Sequence, residues 1–492
     1  MRHGRPGARP RWWTAIALAL CAATSSGAAA PAPAAQARAS LEQDLDRLLA
    51  APPLERATWG IAIRSLAAGD TLYARNPRKL LMPASTLKLV TLAAAVERLG
   101  WDFSYETRLV ADGSLRGDTI EGNLVVVASG DPSLDARTLD QWAARLRGLG
   151  VARVTGTVLA DTRLFTGPEL GAGWSWDDLP YYYAAPIGAA QFRENAVDLT
   201  LRPGAVPPSV EYDLVPARIS GLIVDNRLRL GPRGQPPVVV ARRAPGSSTV
   251  VLEGALPAGS APIVRSLSVP NPTRYLAAAL VDALAAAGIT VGAPPPADAA
   301  ADATRDWSAA PTLVTHRSAP LRILARRMME VSQNLYAETL LKTMGAQAGD
   351  GTFDRGLKVE EEVLASWGIP PDAVVLRDGS GLSRYNAVTA DALVDVLAQM
   401  YRDPRHRAAY FSLLNGAGED GTLANRMRTT KAAGRVRAKD GAMAGVRALC
   451  GIVTTAGGEP LAFAIIANHF GAGAPVTPAI DAMVTRLAEL ER

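Results

Sequence analysis

Cysteine is nearly absent from this chain of 492 residues. Only Cys21 and Cys450 occur, so the sequence cannot build a disulfide framework or a cysteine-rich metal centre. Histidine is almost as rare, with four residues and no His-Glu-x-x-His pattern, which argues against a zinc hydrolase. No metal and no other cofactor are therefore expected.

Aromatic residues are also scarce, at 5% of the chain. The formal net charge of +5 comes almost entirely from Arg2, Arg5, Arg9 and Arg11, which precede the first apolar run. The rest of the chain is close to neutral, so it lacks both the basic surface and the stacking aromatics of a nucleic-acid-binding protein. We expect no nucleic-acid partner.

Long hydrophobic runs are missing as well. After the short apolar run near the N-terminus, no segment reaches the ~18 apolar residues of a transmembrane helix. Residues 1–37 contain no acidic residue, and combine a basic start, an apolar run at 12–23 and a small-residue site at 35–37. These features predict a cleaved signal peptide, with an uncleaved anchor as the alternative. We expect a periplasmic protein with no transmembrane segment in the mature chain, where Cys450 is a small core residue.

Lysine is the last scarce residue, with only six residues beside many arginines. Arginine keeps its proton in proteins, whereas lysine loses it when its pKa is lowered. Each lysine is therefore a candidate for chemistry, although most lysines lie on protein surfaces. Two of the six, Lys88 and Lys439, lie within short polar motifs.

The first motif, residues 85–88, reads Ser-Thr-Leu-Lys and opens a stretch with helical periodicity that ends at Leu99. Positions i and i+3 of a helix share one face, so the Lys88 amine can reach the Ser85 hydroxyl. Such a hydroxyl becomes a nucleophile when a base takes its proton. Burial and the helix N-terminus would lower the lysine pKa and supply that base. The alternative is a capping serine followed by a surface lysine.

Two further motifs occur once each. Residues 332–334, Ser-Gln-Asn, offer a hydroxyl that could move a proton and an amide that could hold a substrate carbonyl. Residues 439–441, Lys-Asp-Gly, lie at the end of a predicted strand, where a lysine could bind a carboxylate and glycine permits close backbone approach. Taken singly, these motifs fit a polar helix face and an ordinary strand-to-turn lysine.

The pattern of secondary structure divides the chain. Helical periodicity dominates near the first two motifs, where residues 321–344 are predicted to form one long helix or a pair of helices. An antiparallel meander is predicted at 434–467. Between them, short β-like runs broken by glycine and proline alternate with helical stretches at 136–149 and 272–287. We predict an α/β (α+β) fold in which one domain carries the motifs and surrounds an inserted region with two nested β-rich domains. The boundaries are 38–98 with 310–492 for the domain, and 99–309 for the insertion.

The ordered set of Ser-x-x-Lys, Ser-x-Asn and Lys-x-Gly matches the signature of penicillin-binding proteins and serine β-lactamases. The chain resembles the D-alanyl-D-alanine carboxypeptidase/endopeptidase group of the penicillin-binding protein 4 (DacB) type, peptidase family S13. The resemblance covers most of residues 55–470, including MPASTLKLVTLAAAVERLG (82–100), SGDPSLD (129–135), GTVLADTRLF (156–165), SQNLYAETLL (332–341), RDGSGLSRYN (377–386) and EDGTLANR (419–426). It implies a β-lactamase-like transpeptidase domain with a large β-rich insertion.

The resemblance also implies roles for the residues of the three motifs. Ser85 would be the acylated nucleophile and Lys88 its base. Ser332 and Asn334 would form the second catalytic element. Backbone N–H groups of Ser85 and of Ala442, or of its neighbour in the same strand, would form the oxyanion hole.

Substrate binding is implied in the same way. Lys439, Asp440 and Gly441 would face the substrate's terminal carboxylate. Similar enzymes also cut D-Ala-diaminopimelate cross-links, and Asp161 and Arg384 are the matching positions for holding the diaminopimelate end. For both residues a structural role is the alternative.

Asp440 is a departure, because the family motif is Lys-Thr-Gly. The threonine hydroxyl would help bind the substrate carboxylate, whereas an aspartate would repel it and could pair with Lys439. Two like charges ~4 Å apart repel by about 4 kcal/mol at an effective dielectric near 20. A protonated Asp440, or a nearby Arg437 or Arg447, would compensate.

The expected function is a serine D-Ala-D-Ala carboxypeptidase and DD-endopeptidase that acts on peptidoglycan peptides and is acylated by β-lactams. Two alternatives follow from Asp440. One is a non-catalytic or weakened peptidoglycan-binding protein, and the other is an esterase or amidase of the same fold. A homodimer is compatible with the sequence, which does not test it.

Overall fold

The computed structural model describes residues 33–204, 209–217 and 219–492. Most of the predicted signal peptide and Cys21 therefore lie outside the described residues, while the predicted cleavage site at 35–37 falls within the first helix. The first segment of the chain forms helices α1 (Pro33–Leu49) and α2 (Pro52–Glu55), strands β1 (Thr58–Ser65) and β2 (Thr71–Arg75), and helix α3 (Lys88–Leu99).

The middle of the chain is rich in short strands. Its elements, in chain order, are β3 (Glu106–Arg116), β4 (Thr119–Val127), α4 (Ala136–Gly148), β5 (Arg153–Val154), β6 (Val158–Asp161), β7 (Ala196–Pro203), β8 (Val210–Val215), β9 (Ile223–Asn226), β10 (Arg229–Gly231), β11 (Val238–Arg242), β12 (Thr249–Pro257), β13 (Ile263–Ser268), α5 (Pro272–Ala286), β14 (Thr290–Val291) and β15 (Thr312–Arg317).

The last part of the chain returns to helices and ends in a strand meander. Its elements are α6 (Leu321–Glu330), α7 (Asn334–Gln347), α8 (Phe353–Ser366), β16 (Val374–Val375), β17 (Ala387–Val388), α9 (Ala390–Arg402), α10 (Arg407–Ser412), β18 (Asn415–Gly416), β19 (Val436–Met443), β20 (Val446–Thr454), β21 (Pro460–Asn468) and α11 (Val476–Ala488).

The two ends of the chain meet in one antiparallel sheet, with the order β18-β19-β20-β21-β1-β2. Strand β1 pairs with β21 along its whole length, with Thr58 opposite Asn468 and Ser65 opposite Leu461. Alternate residues of a strand point to opposite faces. Ile61 therefore packs into the core beneath α1 and α11, whereas Ala62 packs into the core formed with α3, α7 and α9. Both faces are covered, which explains why the strand is apolar almost throughout.

The inserted region folds into three further sheets with a core of its own. The largest has the order β14-β5-β4-β3-β15, with β6 also paired to β4. Strand β15 lies beyond the predicted boundary at residue 309, yet it pairs with β3. The sheet structure of the insertion therefore extends further along the chain than the sequence pattern indicated.

In the structure, the helical stretches near the first two motifs change at the motif serines. The helix expected from Ser85 begins as a 3₁₀ turn at Ala84–Leu87 and becomes α-helical at Lys88. The helical stretch from Leu321 divides into α6 and α7, and Ser332 lies between them with φ of +61°. Both breaks place a motif serine at a helix start.

Candidate active site

The 3₁₀ turn brings the Ser85 hydroxyl and the Lys88 amine together. Because a 3₁₀ helix has about three residues per turn, side chains at i and i+3 lie directly above one another. Lys88 Nζ is 2.9 Å from Ser85 Oγ. Ala84, which leads into the turn, has φ of +47°, a left-handed conformation that is strained for a residue with a side chain. The structure thus confirms the contact that the spacing predicted.

Lys88 is fully buried and directs its amine at three oxygen atoms. Besides Ser85 Oγ, these are Asn334 Oδ1 at 2.6 Å and the Ser380 carbonyl at 2.9 Å. An amide oxygen and a carbonyl oxygen only accept hydrogen bonds. A neutral amine would therefore give its two N–H groups to Asn334 and Ser380, and would turn its lone pair to the hydroxyl of Ser85.

Burial is the main cause that lowers the pKa of Lys88, to about 7, and the positive charge of Lys439 adds to it. The carboxylates of Glu338 and Asp378 oppose this shift. A free lysine titrates near ~10.4, so only a small fraction of it would be neutral at physiological pH. At Lys88 a large fraction is neutral, which is the condition for a general base.

The Ser380 carbonyl belongs to the loop at 378–383, which two buried carboxylates hold in place. Glu338 Oε2 and Oε1 accept from the N–H groups of Gly379 and Ser380, over 2.9 and 2.8 Å. Asp378 Oδ1 accepts from the N–H of Gly381 over 2.8 Å, and Oδ2 from Trp174 Nε1 over 2.9 Å. These buried carboxylates therefore position an acceptor for Lys88 without contacting Ser85 themselves.

A third buried carboxyl, Glu360, extends this network. Thr91 Oγ1 lies 2.9 Å from Glu360 Oε1 and 2.7 Å from the Gly379 carbonyl. A hydroxyl donates only one hydrogen, so in one of these two contacts the Thr91 oxygen must be the acceptor. The Gly379 carbonyl has no hydrogen to donate, so the donor must be a protonated Glu360 carboxyl. Burial raises the pKa of Glu360 to about 8, in agreement with a protonated side chain.

Strand β19 lies against the turn that carries Ser85. A Cβ atom on Gly441 would lie 2.7 Å from the Pro83 carbonyl oxygen and 3.1 Å from the Ser85 nitrogen, so glycine permits this approach. Beyond Ala438, β19 pairs only with β20 among the described strands. Its other edge is open, and Ala442 lines the cleft there together with Ser85. The predicted oxyanion-hole residues thus lie on the two sides of one cleft.

Asp440 is bound by Lys439 and Thr422. Lys439 Nζ donates to Asp440 Oδ1 over 2.9 Å, and Thr422 Oγ1 donates to the same oxygen over 2.5 Å. Burial alone would raise the pKa of Asp440, but the charge of Lys439 and these hydrogen bonds lower it to about 2. The predicted pairing with Lys439 is therefore present. Arg437 and Arg447 bond to backbone carbonyls elsewhere, and the arginine whose charge also lowers the pKa of Asp440 is Arg426.

The cleft has a volume of about 490 Å³, within the range of ligand pockets. Ser332 and Asn334 line it on the side of α7. Arg384 also lines it, as predicted, and donates to the Ala444 carbonyl. Asp161 does not, because Arg163 binds both of its carboxylate oxygens, over 2.8 and 2.9 Å.

The acidic residues that line the cleft from the insertion are instead Asp177 and Asp178. Tyr183 donates to Asp178 Oδ1 over 2.9 Å, and its backbone carbonyl accepts from Asn334 Nδ2 over 2.8 Å. Asp177 and Asp178, and not Asp161, are therefore the acidic residues of the insertion that lie at the cleft.

Comparison with known proteins gives the family. Residues 41–490 match the D-Ala-D-Ala carboxypeptidase 3 (S13) family. The D-alanyl-D-alanine carboxypeptidase of Actinomadura sp. (strain R39) is 38% identical over 470 residues, which cover 91% of this chain and 84% of that protein. The chain belongs to the peptidase S13 family. This membership confirms the predicted function class, a serine-type D-Ala-D-Ala carboxypeptidase.

Further comparisons agree with the S13 assignment. The D-alanyl-D-alanine carboxypeptidase DacB of Haemophilus influenzae is 27% identical over 429 residues, covering 85% of this chain and 87% of that protein. The crystal structure of penicillin binding protein 4 (dacB) from Haemophilus influenzae superimposes with a TM-score of 0.79 at 25% identity, covering 91% of this chain and 99% of that one. The likeness confirms the predicted fold.

Several residues of this S13 site were not identified from the sequence. Thr422 lies in the EDGTL stretch, which carried the family resemblance but no assigned contact. Trp174 and Tyr183 lie in the insertion, where no sequence signal connects them to the motifs. The Ser380 carbonyl is a backbone group, so its position depends on the folded loop alone.

Proposed function

We propose that this S13 peptidase cleaves the D-Ala-D-Ala bond of peptidoglycan stem peptides through an acyl-enzyme on Ser85, and that β-lactams acylate the same residue. The observation that carries this proposal is the buried Lys88 amine, 2.9 Å from Ser85 Oγ and fixed by two acceptors. A serine activated in this way attacks acyl carbons.

In the first step, Ser85 Oγ forms a bond to the substrate carbonyl carbon while its proton passes to Lys88 Nζ. The backbone N–H groups of Ser85 and Ala442 would donate to the developing oxyanion. When the tetrahedral intermediate collapses, the C–N bond breaks. The proton held by Lys88 reaches the leaving nitrogen through the Ser332 hydroxyl, and D-alanine departs.

In the second step, a water molecule gives a proton to Lys88 and attacks the acyl carbon. Collapse of the second intermediate breaks the ester bond, and the proton returns to Ser85 Oγ. Lys88 is then neutral again, so the same amine serves both steps.

The same cleft supports DD-endopeptidase activity, because Asp178 and Arg384 line it beyond the catalytic residues. A periplasmic location is part of the proposal and is supported by the signal-like composition of residues 1–37. No helix of the described residues is long and apolar enough to cross a membrane. The homodimer stays a prediction.

The test is the intact mass of the protein, recovered from the periplasm of a host that expresses the full chain, after long incubation with excess benzylpenicillin. We expect a mass without residues 1–37 and a one-to-one adduct, which Ser85→Ala abolishes. Ser412→Ala, on the exposed side of α10, is the matched control and should keep the adduct. An adduct that persists in Ser85→Ala would contradict the proposed nucleophile, and an uncleaved chain would contradict the location.

A further inference from the structure

The bonding of Asp440 bears on which leaving group the site accepts. The leaving residue of a D-Ala-D-Ala peptide ends in a carboxylate, and a carboxylate needs cationic or hydroxyl donors. Lys439 Nζ, from the strand that lies against Ser85, and Thr422 Oγ1, from a residue that lines the cleft, form such a pair of donors. Both already donate to one oxygen of Asp440, over 2.9 and 2.5 Å. A carboxylate of the protein itself thus occupies the donors that a substrate carboxylate would use.

We propose that Asp440 makes this enzyme selective for peptides whose carboxyl group beyond the scissile bond is neutral, as a carboxamide. The proposal rests on the proposed function and narrows it: the serine mechanism is kept, and stem peptides that end in a free carboxylate are cleaved more slowly than their carboxamides.

Charge provides the first reason. The ion pair of Lys439 with Asp440 carries no net charge, so it offers a free carboxylate no net attraction. A second carboxylate placed ~4 Å from Asp440 would weaken productive binding on the order of a thousandfold if nothing compensated it. The low pKa of Asp440, about 2, means that protonation of Asp440 does not relieve this repulsion near neutral pH.

Hydrogen bonding provides the second reason. Asp440 Oδ1 accepts from both Lys439 and Thr422, whereas Oδ2 accepts no hydrogen bond from the described residues. Asp440 lines the cleft, and its side chain is 22% exposed. A carboxylate has no proton to offer Oδ2, but the N–H of a carboxamide can donate to it.

Arg384 does not supply a substitute site for the carboxylate. It is the one cationic side chain among the described residues that line the cleft, but it is exposed and donates to the Ala444 carbonyl over 3.3 Å. The positive charge of Arg384 also favours the ionised form of Asp178. Lys439 is therefore buried and paired with Asp440, and Arg384, which does line the cleft, already acts on Asp178.

The test compares two peptides that are identical except at the end, N-acyl-L-Lys-D-Ala-D-Ala and its C-terminal carboxamide. The measurement is kcat/KM, from the release of D-alanine or D-alaninamide. We expect the wild-type enzyme to prefer the carboxamide by about a hundredfold or more. Asp440→Asn, which keeps the shape and removes the charge, should bring the ratio within about tenfold by raising the rate on the free acid. Asp440→Thr should reverse the preference.

Glu419→Gln is the matched control. It removes an acid from the same loop as Thr422 and should leave the ratio unchanged. Thermal unfolding of each variant shows that it is folded. A wild-type enzyme that cleaves the free acid as well as the carboxamide, or that cleaves neither peptide while Asp440→Thr cleaves the free acid, would overturn the proposed selectivity and leave the serine mechanism intact.

Failure of the proposed function has a different signature. In that case no form of the protein would cleave either peptide, and Asp440→Thr would form no benzylpenicillin adduct. The selectivity would then fall together with the function on which it rests.

Discussion

Lys88 shows how a residue that is ordinary in sequence becomes reactive through its surroundings. Its scarcity and its spacing from Ser85 indicated the pair, and the two later motifs together with the family resemblance strengthened the prediction. The acceptors that orient the amine were not predictable, because the Asn334 amide belongs to a distant helix and the Ser380 carbonyl to a loop. The sequence contains the reactive residues, whereas the buried environment that lowers the pKa exists only in the folded chain.

The pKa of Lys88 predicts a pH dependence. A protonated amine cannot accept the Ser85 proton, so acylation should require the neutral form, which predominates above about 7. The second-order rate of acylation should fall about tenfold for each pH unit below this value and level off above it. Stopped-flow or mass-spectrometric acylation rates with benzylpenicillin would give the profile, and unfolding curves over the same range would serve as the control. A flat profile down to about two units below the pKa would contradict the role of Lys88 as base.

At the scale of elements, the sequence predicted the helical stretches around the motifs and the strand meander near the end, but not the exact positions of the helix breaks. The periodicity of 321–344 allowed one helix or two, and the interruption falls at Ser332, whose backbone is left-handed. No glycine or proline marks this position. Tertiary contacts, among them the bond from Asn334 to Tyr183, hold a conformation that local sequence preference does not favour.

The approach of β19 to the Ser85 turn gives a prediction at this scale. In Gly441→Ala, the new Cβ would lie 2.7 Å from the Pro83 carbonyl, so strand and turn must separate by several tenths of an ångström. Small displacements of catalytic groups cost large factors in rate, and we expect kcat/KM to fall about a hundredfold. Far-ultraviolet circular dichroism should stay unchanged. Gly471→Ala is the less crowded control, since a Cβ there contacts nothing within 4 Å and Gly471 does not have a positive φ. Equal rates in Gly441→Ala and the wild type would contradict the tight contact.

At the scale of the whole molecule, the insertion is part of the active site. Trp174 and Tyr183, which lie between β6 and β7, contact Asp378 and Asn334 of the surrounding domain. A large β-rich insertion was predicted from the short β-like runs of the sequence and from the family resemblance. The sequence could not predict these contacts, because no periodicity relates residues that lie so far apart in the chain.

Removing one of these contacts should weaken the whole molecule. Trp174→Phe deletes the 2.9 Å hydrogen bond to the buried Asp378 carboxylate, and bonds to charged groups contribute about 1.5–3 kcal/mol. We expect the free energy of unfolding to fall by that amount in chemical denaturation. Trp176→Phe is the matched control, since Trp176 is 58% exposed, and it should be neutral. An unchanged stability in Trp174→Phe would show that the insertion does not support the Asp378 loop.

The pairing of β1 with β21 also sets an order of events during synthesis. Strand β1 emerges from the ribosome hundreds of residues before its partner, and at ~5–20 residues per second it waits on the order of tens of seconds. Asn334, Ser380 and β19 are made one after another during that interval, so the site around Ser85 stays incomplete until β19 has been made. A nascent or truncated chain therefore carries its nucleophile in an inert form, and catalytic competence arrives only when the last strands of the chain have been made.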